Sequence, residues 1–422
     1  MEDSVSISAV LNSVTSARRF ARAHARKSRW GATAAALLCA FTIFFATSIP
    51  AMAQAGQLDP TFGNHGIVVT TNTVAQVAAL QTDGKILVGG SAVNSQAAVA
   101  RYNPDGTLDS AFGNHGFFVN TVRNGASVFG IAVQSDGKIV AASPAELNLD
   151  VFRLNTNGSL DTTFGTNGIV TFRPLSFSFG QTPGALVVQP DGKILVAAGI
   201  TAARLLADGE FDSTFGNGGL APLLTGVGAL VLLPGDKFLV GSNGVSRYNS
   251  DGSLDTTFGV AGEAAAYGSG SAISLLTGGK FLVGGSLVTQ IMPPVGNNIS
   301  GFSLVRNNSN GTIDTTFRTR GGEVTQFPGD VSAGIAALAI QSNGDIVGGG
   351  SATTTVNAPS AFALARYSST GQLDATFGTG GFVTTSFGST SSSISVLLIQ
   401  TDGKIVAVGN SNGITLARYL AR

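Results

Sequence analysis

Cysteine, tryptophan and histidine are nearly absent from this chain. It has one cysteine, Cys39, one tryptophan, Trp30, and three histidines among 422 residues. Cys39 lies in an N-terminal apolar segment, so the rest of the chain can form no disulfide, thiol nucleophile or cysteine metal site. Charged residues are also scarce, at 11%, with 24 basic and 24 acidic side chains. No basic stripe of the kind that nucleic acid requires is visible, and we expect no nucleic-acid partner.

The first segment, residues 1–53, has the pattern of an export signal. Six Lys and Arg residues lie within 18–29, an apolar stretch follows at 32–49, and Ala-Met-Ala at 51–53 supplies a small-x-small cleavage pattern. We expect cleavage after Ala53 and a mature domain, 54–422, that is periplasmic or secreted and no longer bound to a membrane. An uncleaved anchor stays open as the alternative, because about 18 apolar residues is the lower edge of what spans a bilayer.

The mature domain is built from one unit that recurs seven times between Leu58 and Arg422. The unit reads Leu-Asp-x-Thr-Phe-Gly, then Gln-x-Asp-Gly-Lys, then Ala-Arg-Tyr-Asn-x-Asp-Gly. A period of roughly 40 to 50 residues that holds several short strand patterns is typical of a β-propeller. The sequence therefore predicts an all-β fold, a seven-bladed β-propeller of four-stranded antiparallel blades. In the first unit the strand patterns lie at 66–71, 74–81, 85–91 and 97–103.

The phase of the repeat predicts how the ring closes. The repeats begin with the Leu-Asp-x-Thr-Phe-Gly motif and its following strand, 66–71, and they end just after an Ala-Arg-Tyr strand. If the strand that ends in Gln is innermost, the first strand has no blade of its own. We expect it to pair as the outer strand of the last blade, beside 416–419. This N-terminal strand would leave no open seam in the ring.

One arginine and one aspartate recur in every unit. A ring of identical pairs is typical of residues with a structural role, so we expect one partly buried Arg–carboxylate pair per blade, bidentate where geometry permits. Phe62 and its equivalents should fill the gaps between blades, and Arg418 should pair with Asp59 across the closure. The arginines are Arg101, Arg153, Arg204, Arg247, Arg306, Arg366 and Arg418, and the aspartates are Asp59, Asp109, Asp161, Asp212, Asp255, Asp314 and Asp374.

These three linked motifs resemble the delta-60 repeat family of exported bacterial proteins, which is regarded as propeller-forming. The resemblance extends over about 58–422, although some copies drift: Arg318 replaces the glycine after Phe, Asp345 replaces the turn lysine, and Gly278-Gly279 replaces Asp-Gly. It implies export and an extracytoplasmic binding or structural role. It supplies no catalytic motif that could be carried over to this chain.

Groups suited to catalysis are few outside the recurrent positions. The innermost strand patterns contain no Asp, Glu, His, Lys or Arg, and no Gly-x-Ser-x-Gly elbow with a histidine partner occurs. His65 and His115 lie in turns that neighbouring blades should hold apart. We therefore expect no catalytic residue, no metal and no cofactor. The stretch 103–109 alternates oxygen ligands loosely as calcium loops do, but we favour a turn stabilised by its own Asx hydrogen bonds.

The connections that vary between repeats define a candidate binding surface. Connections between the second and third strands of a blade, and those between blades, project from the same face of a propeller, and here both kinds vary, the longest at 287–300. We expect a monomer that binds a protein or a glycan through this face. A propeller hydrolase or lyase and a purely structural envelope component stay open as alternatives. The candidate ligand-binding residues are Arg123, Glu146, Asp150, Arg173 and Asp330.

The leader holds the only tryptophan and the only cysteine. If it is removed after Ala53, the exported protein starts at Gln54 and contains neither residue. N-terminal sequencing of the protein recovered from the periplasm or medium should therefore begin at Gln54, and its intrinsic fluorescence should come from tyrosine alone. A product that keeps tryptophan emission and stays in the membrane fraction would identify the leader as an anchor.

Overall fold

The computed structural model describes residues 54–120, 127–175, 184–242, 244–264, 272–292, 297–355 and 357–421, with the backbone alone for 290–292 and 297–298. Within these ranges no helix is long and apolar enough to cross a membrane. Three short 3-10 turns occur, at Val93–Ser95, Pro234–Asp236 and Thr277–Gly279. The strands are β1 (Ile67–Thr70), β2 (Val74–Leu80), β3 (Ile86–Ala92), β4 (Gln96–Tyr102), β5 (Phe117–Val119), β6 (Gly130–Val133), β7 (Ile139–Ala145), β8 (Asn148–Leu154), β9 (Ile169–Phe172), β10 (Gly184–Val188), β11 (Ile194–Ala198), β12 (Thr201–Leu205), β13 (Leu220–Pro222), β14 (Ala229–Leu232), β15 (Phe238–Gly241), β16 (Val245–Tyr248), β17 (Glu263–Ala264), β18 (Ala272–Leu275), β19 (Phe281–Met292), β20 (Asn297–Asn307), β21 (Gly322–Thr325), β22 (Ser332–Ile340), β23 (Ile346–Thr353), β24 (Ala361–Tyr367), β25 (Phe382–Thr385), β26 (Ser393–Ile399), β27 (Ile405–Asn410) and β28 (Ile414–Tyr419).

These strands form seven antiparallel sheets of four strands each, which are the blades of a propeller. Blades 1 to 6 use consecutive strands, from β2–β5 in blade 1 to β22–β25 in blade 6, and blade 7 has the order β1-β28-β27-β26. The innermost strands β2, β6, β10, β14, β18, β22 and β26 contact one another in ring order, and β26 returns to β2. The seven-bladed fold is confirmed.

The N-terminal strand closes the ring, as the repeat phase predicts. Strand β1 pairs antiparallel with β28, with Ile67 opposite Ala417 and Thr70 opposite Ile414. The turn at this junction is also assembled from both ends of the repeat region, because the Gly56 amide donates to the Leu420 carbonyl at 2.8 Å. In blade 1 one continuous segment makes the equivalent bond, from Gly106 to Asn103. The closure therefore copies the ordinary blade in hydrogen bonding as well as in strand order.

The core lies between the blades. The second and third strands of each blade are apolar runs buried on both faces, as in a sheet covered on both sides. Each buried cluster is shared by two neighbouring blades; one joins Leu87 and Val99 of blade 1 to Ile139 and Phe152 of blade 2. The closing interface is packed in the same way, since blades 7 and 1 also share a buried cluster. Burial of this apolar surface supplies the main driving force for the stacking of blades.

Two local features differ from the regular repeat, the connection at 287–300 and the turns whose residues depart from the motif. The stretch 287–300 was expected to be a long loop, but β19 and β20 extend through most of it as a hairpin with a bulge between Val288 and Gln290. Its β-branched residues continue the ladder beyond the length of the other blades. The drifted turn of blade 5 keeps its closing hydrogen bond, from the Leu276 amide to the Lys280 carbonyl, but Gly278 and Gly279 both have φ 78°, whereas in the Asp83-Gly84 turn only the glycine has a positive φ. Arg318 takes the left-handed conformation at φ 45° that glycine has at this position in the other copies.

The recurrent arginine joins each blade to the next. In blade 1, Arg101 Nε lies 2.7 Å from Asp109 Oδ2 of the same blade, and its Nη1 donates to the Thr156 carbonyl of blade 2 at 2.5 Å. Its Cζ is 4.4 Å from the ring centroid of Phe112. The guanidinium thus donates to two blades and does not form a bidentate pair with the carboxylate. The ring of Phe112 packs against the face of the guanidinium. The same pairing occurs in Arg153–Asp161, Arg204–Asp212, Arg247–Asp255, Arg306–Asp314, Arg366–Asp374 and Arg418–Asp59.

The junction aspartate uses both of its carboxylate oxygens. Asp161 Oδ1 accepts from the amide and the hydroxyl of Thr163, at 3.1 and 2.7 Å, and Oδ2 accepts from Arg153 Nε and Lys138 Nζ, at 2.7 and 2.9 Å. Burial alone would raise the pKa of this carboxyl, but the donors hold the pKa well below its usual range. The motif Asp-x-Thr therefore builds a turn and an ion pair with one side chain.

Replacing the arginine at the closure should destabilise the ring. Arg418 Nε lies 2.9 Å from Asp59 Oδ2, the Asp59 side chain is 3% exposed, and Arg418 Nη1 donates to the Pro104 carbonyl at 2.7 Å. Arg418→Met removes one of the two cations beside this buried carboxylate and leaves Lys404 Nζ, 3.1 Å from Asp59 Oδ2, so the free energy of unfolding should fall by about 2 kcal/mol. Urea unfolding at pH 7 measures the loss, and the exposed Arg173→Met is the control. A variant as stable as the control would contradict the assigned role.

The loss of unfolding free energy in Arg418→Met should depend on pH. Burial raises the pKa of Asp59, but hydrogen bonds from Thr61 and Lys404 and the charge of Arg418 lower it to about 2, from an ordinary value of 3.8. The pair therefore contributes fully above the ordinary value, and its contribution is lost as the pH falls through about 2. The difference between the wild type and Arg418→Met should accordingly shrink on acidification.

Candidate functional site

The variable face is the one formed by the second-to-third-strand connections and the interblade connections; the regular face is the opposite one. The candidate residues do not meet at one place on the variable face. Glu146 is exposed at the tip of the hairpin between β7 and β8, and the exposed Arg173 follows β9, so both belong to blade 2. Asp330 lies on the connection between blades 5 and 6, three blades away around the ring. Arg123 lies outside the described residues.

Asp150 is not on the surface, contrary to expectation. It is 2% exposed, because the hairpin turn before it takes only Glu146 and Leu147 and places it on the β8 ladder. There it faces Thr171 of β9, whose Oγ1 donates to Asp150 Oδ1 at 2.6 Å. Its carboxylate is therefore an internal acceptor of blade 2.

A groove of about 590 Å³ runs along the outer strand of blade 6, from Asp330 at the variable face to Gln54, Gly56 and Gly378 at the regular-face turns. Its walls include Phe327 and Pro328 from the same connection, Pro359 from the loop between β23 and β24, and Phe382 from β25. Asp330 is the single charged residue among the described residues that line it. Burial raises the pKa of its carboxyl, and no described hydrogen bond or cation opposes that effect. Its environment is thus the reverse of that of the junction aspartates.

A second cavity, of about 720 Å³, lies at the variable-face end of the central channel. Inner strands begin at the interblade connections, so their first residues surround this end; Gln76, Ile131, Leu186, Leu230 and Ser395 are examples. The lining contains no Asp, Glu, His, Lys or Arg within the ranges that the structure describes. This agrees with the uncharged inner strands read from the sequence.

Blade 6 differs from the others on the regular face. In the other six blades a turn lysine Nζ lies 2.7 to 3.5 Å from the junction aspartate, whose side chain is 3 to 7% exposed. Asp345 takes the place of that lysine in blade 6, and the Asp374 side chain there is 22% exposed. The turn itself still forms, since the Gln341 amide donates to the Asp345 carbonyl at 2.8 Å. Asp345 and Asp374 line a cavity of about 640 Å³.

The positions considered for metal binding are occupied by local hydrogen bonds. His65 is exposed, with Nδ1 2.7 Å from Asn64 Oδ1. In the stretch 103–109, Asp105 Oδ1 accepts from the amide and hydroxyl of Thr107 at 2.9 and 2.7 Å, which is the Asx-type turn that the sequence favours. Across the described part of the chain no group of three His, Cys, Asp or Glu side chains is placed to hold a metal ion.

The repeat matches a known family model in six places. The model is described as a domain of unknown function (DUF5122) beta-propeller. Each matched segment contains the arginine and aspartate of one blade and ends on its junction phenylalanine, which supports a propeller repeat family. No curated protein sequence matches the chain. The matched residues are 81–112, 134–164, 189–215, 239–258, 274–317 and 341–377.

Experimental structures with the same fold have very different sequences. Virginiamycin B lyase from Staphylococcus aureus has a TM-score of 0.52 at 12% identity, over 84% of this chain and 98% of that chain. The Pan2 WD40 domain of Neurospora crassa has a TM-score of 0.52 at 8% identity, over 84% and 94%. YCF48 bound to D1 peptide has a TM-score of 0.50 at 10% identity, over 84% and 96%. At these identities the likeness shows the fold alone.

Restoring the lysine of blade 6 should stabilise the protein. Asp345→Lys places an ammonium beside Asp374 and removes a like charge, so the free energy of unfolding should rise by about 0.5 to 1 kcal/mol. The reverse change in blade 1, Lys85→Asp, is the matched control and should lower it, because Lys85 Nζ lies 2.8 Å from Asp109 Oδ2. Urea unfolding at pH 7 compares the two. Destabilisation by Asp345→Lys would show that a lysine at this turn does not stabilise the junction aspartate of blade 6 as it does in the other blades.

Proposed function

We propose that the protein is an exported, non-catalytic β-propeller that binds a protein or a glycan through its variable face. The observation that carries this proposal is the contrast between its carboxylates. On the regular face the junction aspartates are held by arginine, and in six blades also by lysine. On the variable face Asp330 lies in an open groove without a described cation beside it.

The groove around Asp330 suits a ligand that brings hydrogen-bond donors. A partly dehydrated carboxylate is stabilised when an ammonium, guanidinium, amide or hydroxyl group donates to it. The phenylalanine and proline walls offer apolar contact, and Thr354, Thr384 and Ser386 add hydroxyl groups. A concave surface that is mostly apolar with a few polar groups is the usual form of a binding site. A basic side chain of a partner protein and the hydroxyl groups of a sugar both match these groups.

The composition of the groove supports binding in preference to catalysis. General acid–base chemistry needs at least one positioned titratable group, and usually a second group that acts with it within hydrogen-bond reach. Asp330 stands alone in this respect among the described groove residues. Asp150, the other carboxylate considered for catalysis, is enclosed in blade 2. Export rests on the leader, residues 1–53.

The test uses the mature protein, residues 54–422, on arrays of glycans and of peptides that carry basic residues, followed by calorimetry with the best binder. Asp330→Asn keeps the shape of the side chain and removes its charge. We expect it to weaken binding at least tenfold, or about 1.4 kcal/mol. Asp83→Asn is the matched control, because Asp83 is an exposed turn residue on the regular face whose Oδ1 accepts from the Lys85 amide.

Two outcomes would overturn the proposal. Equal affinity of Asp330→Asn and the wild type for every ligand found would remove the groove as the binding site. Chemical conversion of a bound ligand that disappears in Asp330→Asn would replace the binding function by catalysis.

A further inference from the structure

Three neighbouring blades carry a β-bulge in the inner strand where it lines the channel. The register between inner and second strand shifts by one residue at Gln76 in blade 1, Ala336 in blade 6 and Ser395 in blade 7. A bulge turns a side chain away from the regular pleat, and bulges are frequent beside functional sites. All three bulged residues line the channel cavity.

Glycines in the second strands make room for these bulges. A Cβ on Gly90 would lie 1.8 Å from the Val74 carbonyl oxygen, and Cβ atoms on Gly350 and Gly409 would lie 1.9 and 2.0 Å from the equivalent oxygens. Any side chain there would collide with the inner strand. Blades 2, 3 and 4 carry Ser143, Ala198 and Ser242 at the corresponding positions of the repeat. Blade 5 also has glycine at this position, Gly285, but its inner strand is described only from Ala272. Among the other six blades, glycine at this position occurs in the three that carry the bulge.

Hydrogen-bonding side chains are unevenly distributed around the cavity wall, and two of them, Gln76 and Ser395, are bulged residues. Blades 6, 7 and 1 contribute most of the side chains that can form hydrogen bonds, and blades 2, 3 and 4 contribute mainly apolar ones, with Ser242 as the polar exception. The polar residues of blades 6, 7 and 1 are Gln76, Ser351, Ser393 and Ser395, and they stand among the apolar Val77, Ala78, Ala336, Ile394 and Val396. The large apolar residues of blades 2, 3 and 4 are Phe129, Ile131, Leu186 and Leu230.

The polar side chains are not used by the fold. None of these four residues, nor Ser242, has a side-chain hydrogen bond to another residue in the described ranges. Gln76 and Ser393 are exposed, and Ser351 and Ser395 are half-buried. Their hydroxyl and amide groups can therefore serve a ligand without breaking contacts within the protein.

These properties restrict the chemistry of the occupant. A charged ligand would lose hydration in a cavity whose described lining offers no opposite charge. A wholly apolar ligand would bury the serine and glutamine groups without partners. We propose that this end of the channel binds a neutral carbohydrate. Sugar hydroxyls both donate and accept hydrogen bonds, as serine hydroxyls and the glutamine amide do, and sugar C–H faces pack on apolar walls such as that of Phe129.

The carbohydrate site shares the variable face with the Asp330 groove, but it is a separate cavity with different lining residues. It deepens the proposed binding function by naming a ligand class, and it does not depend on Asp330. The two ideas can therefore fail independently.

Calorimetry with the mature protein tests the site. The probes are three neutral trisaccharides, maltotriose, cellotriose and triacetylchitotriose. Trigalacturonic acid is the charged comparator, and Gly-Ser-Ala with an acetylated N-terminus and an amidated C-terminus is the uncharged peptide that represents the competing ligand class. We expect at least one neutral trisaccharide to bind. The double variant Gln76→Ala/Ser395→Ala should weaken this binding at least tenfold, while Asp330→Asn leaves it within twofold of the wild type.

The matched control is Gln372→Ala/Ser213→Ala, which removes the same two residue types from exposed turns of the regular face. It should bind the sugar as the wild type does, and thermal unfolding should show all variants folded. Absence of binding by all three neutral sugars, equal or tighter binding of the acidic trisaccharide, or preference for the peptide would overturn the assignment. Loss of sugar binding in Asp330→Asn but not in the channel variant would move the sugar to the groove and leave the proposed function standing.

Discussion

The guanidinium group of the recurrent arginine is the contact on which the ring depends. It binds the carboxylate of its own blade through Nε and a backbone carbonyl of the next blade through Nη1, while a phenylalanine ring covers its face. Because this group is planar and permanently charged, its donors restrict both the distance and the angle between blades. Arg418 makes the same set of contacts at the closure, with Asp59, Pro104 and Phe62. Within the described part of the chain, seven arginines, seven junction aspartates and six turn lysines serve this scaffold.

The recurrent ion pairs that hold the ring lie on the regular face, so the connections on the variable face can differ from blade to blade. The channel cavity opens on the variable face, and the groove along blade 6 reaches this face at Asp330. The groove has a partly dehydrated carboxylate, and the described lining of the channel cavity is uncharged. Asp345 of blade 6 shows that the scaffold also tolerates variation, because loss of the lysine leaves the hairpin and the Arg366–Asp374 pair intact. Redundancy around the ring explains this tolerance, since six other blades keep all their contacts.

Much of the fold could be predicted because its determinants are local and repeated. Strands β2, β3 and β4 begin and end within a residue or two of the patterns read from the first repeat, and the closing strand pairs with β28. The hairpin of β19 and β20 was missed because strand length depends on a partner strand that also extends. Asp150 was misplaced for a related reason: a turn of two residues, Glu146 and Leu147, puts it on a strand, whereas a longer turn would have exposed it.

The three bulges have a signal in the sequence, a glycine in the second strand of the blade, that was not used in the prediction. Gly90, Gly350 and Gly409 stand where three other blades carry a side chain, and close approach of two strands is a common reason for glycine in a strand. The consequence of that signal could still not be predicted from the sequence, because the strand pattern does not show where the register shifts or which side chains the shift turns into the cavity.

The sequence by itself determined the blade: its strands, its turns, its Arg–Asp–Phe junction and the number of copies, all of which depend on residues within one repeat and its neighbour. Only the tertiary structure decided which side chains share a cavity. Gln76 and Ser395 meet at the channel because ring closure makes blades 7 and 1 neighbours, and Phe327 and Phe382 meet beside Asp330 because the connection into blade 6 passes its outer strand. Such contacts follow from the arrangement of strands and connections in the ring, which no local pattern encodes.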